Sequence, residues 1–113
     1  MGILKRILNK LFWRASLEIS EPAQADLTDM YTYIALDNPN AAERFVDDLV
    51  RQMYSIAELG LPGSPRDWIR PGLRAFPYRQ RCIYFRSYDD RIVIIRVLHG
   101  SQDIDRQEFE NHR

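Results

Sequence analysis

Apolar positions recur along this chain in two rhythms, a spacing of three to four through the first half and of two through much of the second. Leu27, Met30, Tyr31 and Ile34 follow i, i+3, i+4, i+7 and predict an amphipathic helix. Ser20 ahead of Glu21-Pro22-Ala23 marks its start, a hydroxyl residue before a first-turn proline. Asp37-Asn38-Pro39-Asn40 is a break, because the residue before proline avoids the helical region, and Asn40 is expected to cap a second helix. Ala42, Phe45, Val46, Leu49, Met53 and Ile56 then keep helical spacing until Gly60, with Glu43, Asp47, Asp48, Arg51 and Glu58 elsewhere around the helix. A short connection makes these two helices an antiparallel hairpin whose apolar stripes must be buried against another layer.

That layer comes from the second rhythm. Residues 71 to 103 read as three strand-like runs joined by short polar turns, with Asp89-Asp90 between the last two, the pattern of an antiparallel meander. The short run Leu17-Glu18-Ile19 adds a strand ahead of the helices, and Gly60 to Pro65 reads as a connector. The expected fold is α+β: a small antiparallel sheet in the order β-α-α-β-β-β, with the helical hairpin packed on one face. Period-two alternation assigns Val93, Ile95 and Val97, with Ile83 and Phe85, to the hairpin side. Arg74, Arg86 and Arg96 are thereby expected on an open opposite face.

Residues 1–16 stand apart from the domain at 17–113. Ile3, Leu4, Ile7, Leu8, Leu11 and Phe12 form a helical stripe among Lys5, Arg6, Lys10 and Arg14, the pattern of a basic amphipathic helix. Three readings compete for it: packing on the domain or on a second copy in a homodimer, contact with an anionic membrane surface, or an extension with no dedicated role. Basic residues interrupt its apolar positions, so no secretory signal is expected. Arg6 occupies the position where a myristoylation signal needs Ser or Thr.

Charge changes the picture more than composition does. The net charge is +0, yet residues 18–58 carry nine acids against Arg44 and Arg51, whereas 66–96 carry eight arginines against Asp67, Asp89 and Asp90. Both lysines lie in the first sixteen residues, so the domain uses arginine alone, the cation suited to planar contacts with carboxylate or phosphate. Clustered guanidinium groups imply steering of an anionic partner, or ion pairs with the acidic helices. The single cysteine, Cys82, excludes an internal disulfide and fits a reducing, cytoplasmic setting, with the thiol expected to be buried and inert. One Cys and two distant His make no zinc spacing, and no Gly-Lys-Ser/Thr follows the Gly60–Pro65 loop, so no metal or other cofactor is expected.

Several short motifs occur in a telling order: Ala25-Asp26-Leu27 with Tyr31 to Ile34, Asn38-Pro39 followed by Ala41-Ala42, Pro71-Gly72-Leu73-Arg74, and Arg96-Val97-Leu98-His99-Gly100 with Asp103. Together they resemble the ParE branch of the RelE/ParE toxins of bacterial type II toxin–antitoxin modules, over Leu17 to about Ile104. The resemblance implies a toxin neutralised by a cognate antitoxin. ParE-like members inhibit DNA gyrase, and RelE-like members cleave mRNA on the ribosome; a degenerate toxin that only binds antitoxin is a third alternative. Metal-free RNA cleavage needs a base, an acid and phosphate-binding cations within hydrogen-bond reach. The sequence offers arginines and His99, but no tyrosine after the last strand and no second histidine before His112. The gyrase inhibitor is therefore the expected reading. Arg74, Arg86, Arg96 and His99 are the candidate residues for target or antitoxin binding, and His99 is the one catalytic candidate. Gln102 stands where the family usually has arginine, a departure that bears on whether the toxin is active.

Overall fold

The computed structural model describes residues 17–100; the amphipathic helix read at 1–16 and the tail from 101 lie outside the described residues. The chain order is β1 (Leu17–Ile19), α1 (Glu21–Ala35), α2 (Pro39–Leu59), β2 (Ser64–Pro65), β3 (Arg74–Tyr78), β4 (Arg81–Ser87) and β5 (Ile92–His99). Ser20 caps α1, its hydroxyl accepting the Ala23 N–H at 3.3 Å, and Pro22 falls in the first turn, where a backbone donor has no helical partner anyway. The second cap is Asn38 and not the expected Asn40: its Oδ1 accepts from Ala41 N at 3.1 Å and Pro39 becomes the first helical residue. Proline decides this. It forces Asn38 into extended backbone, the conformation a cap needs, while its own fixed φ suits the helix start. Gly60, at φ 63°, closes α2 in the left-handed conformation that glycine adopts without strain.

The expected meander is present, with β3, β4 and β5 antiparallel and adjacent. The sheet as a whole is mixed rather than antiparallel, in the order β1-β5-β4-β3-β2, because β1 lies parallel to β5 with Leu17 beside Ile92. Ser20 N–H continues that pairing by donating to Ile94 O at 3.1 Å before the chain turns into α1. The segment read as a connector adds β2, a two-residue edge strand on β3. Gly63 makes the approach feasible: at φ +62° a Cβ there would stand 2.7 Å from Ala75 O and 3.0 Å from the Phe85 ring.

Under the hairpin lies the main core, in which Leu27, Leu49, Met53, Ile56, Ile83, Phe85, Ile94 and Val97 are buried together. The opposite face is not open. The loop 66–73 folds onto it, and Ile69 and Leu73 bury with Ala75, Cys82, Tyr84 and Leu98 in a second, smaller cluster that Ile95 flanks. The facing of β5 also departs from simple alternation. Tyr84 pairs with Arg96 but Phe85 pairs with Ile94, so Ile95 is an extra residue, a β-bulge that reverses the facing along the strand. Ile92, Ile94 and Val97 therefore share the hairpin core, and the expected placement of Val93 and Ile95 there is corrected.

Candidate functional site

The turn between β3 and β4 and the end of β5 meet beside the middle of α1. The register sets Arg81 directly opposite His99, and Gly100 N–H donates to Gln80 O at 2.7 Å. Next to them is a cleft of about 280 Å³ lined by Asp26, Asp29, Met30, Arg81, Arg96 and His99 among others.

Its central feature is a carboxylate that joins helix to strand. Because β1 stops opposite Ile94, the edge of β5 beyond it is left without a strand neighbour, and Asp26 of α1 serves that edge by accepting the Val97 N–H at 2.9 Å. The same carboxylate takes Arg96 Nε at 2.7 Å and Nη2 at 2.9 Å. Both side chains are only 13% exposed. A two-pronged, poorly hydrated guanidinium–carboxylate pair is among the stronger polar contacts a protein makes, and loss of one partner strands the other. The expectation that Arg96 projects from an open face is thus corrected: it is neutralised from within the subunit.

Arg81 is placed differently. Its Nε lies 3.0 Å from Met30 Sδ, and its guanidinium sits 5.5 Å from the Phe45 ring centroid, a cation over an aromatic face. Arg79, at φ 55° in the turn, stacks at 5.3 Å on Tyr78 and pairs with Asp48 at 3.8 Å. A neighbouring depression of about 390 Å³ runs between Ile34, Arg44, Phe45, Asp48 and Arg79.

Of the four residues marked by sequence, Arg96 and His99 meet in the cleft. Arg74 and Arg86 do not. Arg74 pairs with Phe85, whose ring lies in the hairpin core, so it belongs to the hairpin side and not to the face predicted for it; there it donates to Pro62 O at 3.1 Å. Arg86 stands opposite Val93 and donates to Pro71 O at 2.9 Å, holding the loop 66–73. Sequence reasoning marked Asp26 as part of a motif but assigned it no role, and it passed over Arg81. The signal for Asp26 was legible in principle: an acid directly beside a core position of a helix that must pack on an arginine-bearing strand.

Chemically, the cleft holds one imidazole, the carboxylate of Asp29, and Asp26 already committed to Arg96 and Val97. Among the described residues no group of three His, Cys, Asp or Glu is placed to hold a metal ion. The nucleophilic chemistry of cysteine is also muted: burial pushes the Cys82 thiol above its ordinary value of 9.0, outweighing the lowering influence of Tyr84 and Arg66. The Tyr84 phenol is pushed upward as well, first by burial and then by Cys82.

An α-hairpin over one face of a five-stranded mixed sheet is a fold this chain shares with solved toxin–antitoxin structures. The model of the ParE toxin of type II toxin–antitoxin systems (parDE) matches residues 17–104, and the chain belongs to that family. Among solved structures, the chromosomal ParDE toxin–antitoxin system from P. aeruginosa is similar at 27% identity with a TM-score of 0.66, covering 76% of this chain and 96% of that one. The RelBE2 toxin–antitoxin complex from Mycobacterium tuberculosis shares the fold at 20% identity with a TM-score of 0.56, covering 76% and 98%. Comparison with curated proteins gives no match.

Proposed function

We propose that this ParE-family toxin acts on DNA gyrase and is held inactive by a cognate antitoxin, as the toxin–antitoxin assemblies of its structural relatives suggest. The observation that carries the choice of target is the state of Arg96. A metal-free ribonuclease needs cations directed at the scissile phosphate, whereas this guanidinium is clasped by Asp26 through two hydrogen bonds. One of the cleft's two carboxylates, Asp26, is likewise spent on Arg96 and Val97. In this reading His99 shapes the rim of a docking surface and transfers no proton. Arg74 and Arg86 serve binding of target or antitoxin from the other end of the sheet.

Two assays run side by side test it. Purified toxin is expected to block supercoiling by gyrase and to leave ribosome-bound mRNA intact, and His99→Ala is expected to keep that inhibition. Cleavage of mRNA that disappears in His99→Ala would replace this reading with the RelE-like one. Silence in both assays, with antitoxin binding preserved, would identify a toxin that only binds its antitoxin.

A further inference from the structure

Most arginines at the His99 end have a carboxylate or a ring against them; at the opposite end, on the face away from the hairpin, Arg66 and Arg86 do not. Arg66 donates through Nη1 to Pro65 O at 2.9 Å, and Arg86 through Nη2 to Pro71 O at 2.9 Å. Neither makes an ion pair among the described residues. The loop's own acid, Asp67, is turned onto Gly72 N–H at 2.9 Å, and at the β4–β5 turn Asp90 is engaged by Arg91 at 3.1 Å. Each of the two guanidinium groups is therefore anchored by one backbone carbonyl, with the rest of its donor fork unclaimed.

Between them the loop displays an aromatic ring. Ile69 and Leu73, 4% and 0% exposed, pin the loop to the sheet, and Ile69 N–H closes a tight turn onto Arg66 O at 2.9 Å. Trp68, within that turn, is 67% exposed. An indole kept in water by a loop whose neighbouring side chains are anchored has its backbone position fixed in advance, which lowers the entropy lost when something stacks on it. Arg66 opens the loop that carries Ile69 and Leu73 onto this face, its N–H donating to Leu73 O at 2.8 Å. Arg86 shares that face through its pairing with Val93, opposite to the hairpin.

We infer that the loop 66–73 with Arg66, Trp68 and Arg86 is a binding site for single-stranded nucleic acid. Guanidinium groups without carboxylates suit consecutive phosphates, and an exposed ring beside them suits an unpaired base, the combination by which proteins hold single strands without reading sequence. A duplex keeps its bases stacked inside and offers Trp68 no face. An acidic peptide would satisfy the arginines and leave the indole unused. The inference does not depend on whether gyrase is the target.

The test uses the full chain and fluorescein-labelled oligomers about a dozen nucleotides long, oligo-dT and oligo-U, with a duplex of the same length and polyglutamate as controls. Single strands are expected to bind in low salt and to weaken as salt rises, because phosphate contacts release counterions. Trp68→Ala should weaken binding about tenfold or more, the usual consequence of losing one stacked base. Arg66→Ala and Arg86→Ala should each weaken it and flatten its salt dependence, with melting curves showing that all three variants fold. A preference for oligo-dT or for oligo-U supports the site equally and names the strand. Absence of single-strand binding, binding unchanged in Trp68→Ala, or equal binding of duplex or polyglutamate overturns it. The supercoiling assay on Trp68→Ala keeps this apart from the target question, since gyrase inhibition can persist after single-strand binding is lost.

Discussion

The two ends of the sheet use the same residue for opposite purposes. At the His99 end, Arg96 is nearly buried, held through two hydrogen bonds by Asp26, and tied through that carboxylate to the strand edge. At the other end, Arg66 and Arg86 rest on proline carbonyls in solvent. A charge with an internal counter-ion in a dry setting belongs to the architecture, because removing either partner leaves the other uncompensated. A charge that leans on one carbonyl contributes little to the fold beyond that one hydrogen bond, and keeps the rest of its donor fork for a ligand.

The largest effect should come from the dry end. Asp26→Ala strands Arg96 and leaves Val97 N–H without its acceptor, and is expected to cost about 3 kcal/mol, read as a fall in melting temperature of more than 10 °C or so. Replacing both partners in Asp26→Asn/Arg96→Met should recover much of that, since a neutral pair of similar volume carries no orphan charge. A double variant as unstable as the single one would show that the ion pair itself, and not the orphan charge, carries the loss. Next comes Gly63→Ala, where a methyl meets Ala75 O in a left-handed backbone; a loss of about 2 kcal/mol in denaturant unfolding is expected. Smaller again is the wet end: Arg66→Ala and Arg86→Ala should each shift stability by no more than about 0.5 kcal/mol, as exposed sites do. A large loss from Arg86→Ala would make it a brace for the loop rather than a free cation.

The smallest effect concerns Cys82 and lies at alkaline pH. Its folded pKa is raised, so its contribution to stability is fully present below the unfolded value near 9 and is lost as pH climbs through the folded one. Tyr84 acts in the same direction. Urea midpoints should therefore decline above about pH 9, and the thiol should resist a disulfide reagent at pH 8 until the protein unfolds. Prompt labelling of the native protein would contradict this burial.

Much of the fold is legible in the residues. Leu27, Met30 and the stripe from Ala42 to Ile56 announce two helices because a helix repeats its face every 3.6 residues, and the meander is written in runs bounded by turn residues. The cleft was legible only in part. Arg96 and His99 lie three apart at the end of one strand and were visible as a motif, whereas Asp26 reaches Arg96 across 70 positions of chain. Nothing in local spacing announces such a meeting. The second apolar cluster was missed because Ile69 and Leu73 sit in a loop with no periodicity to mark them as buried.

By itself, then, the sequence determined every element but β2, their order and the family, since local propensity and period act over a few residues and are written directly in the chain. Which side Ile92, Val93 and Ile94 face was settled only in three dimensions. One additional residue, Ile95, shifts the β5 register by one, and in a strand with a two-residue repeat that shift exchanges the faces of every residue beyond it.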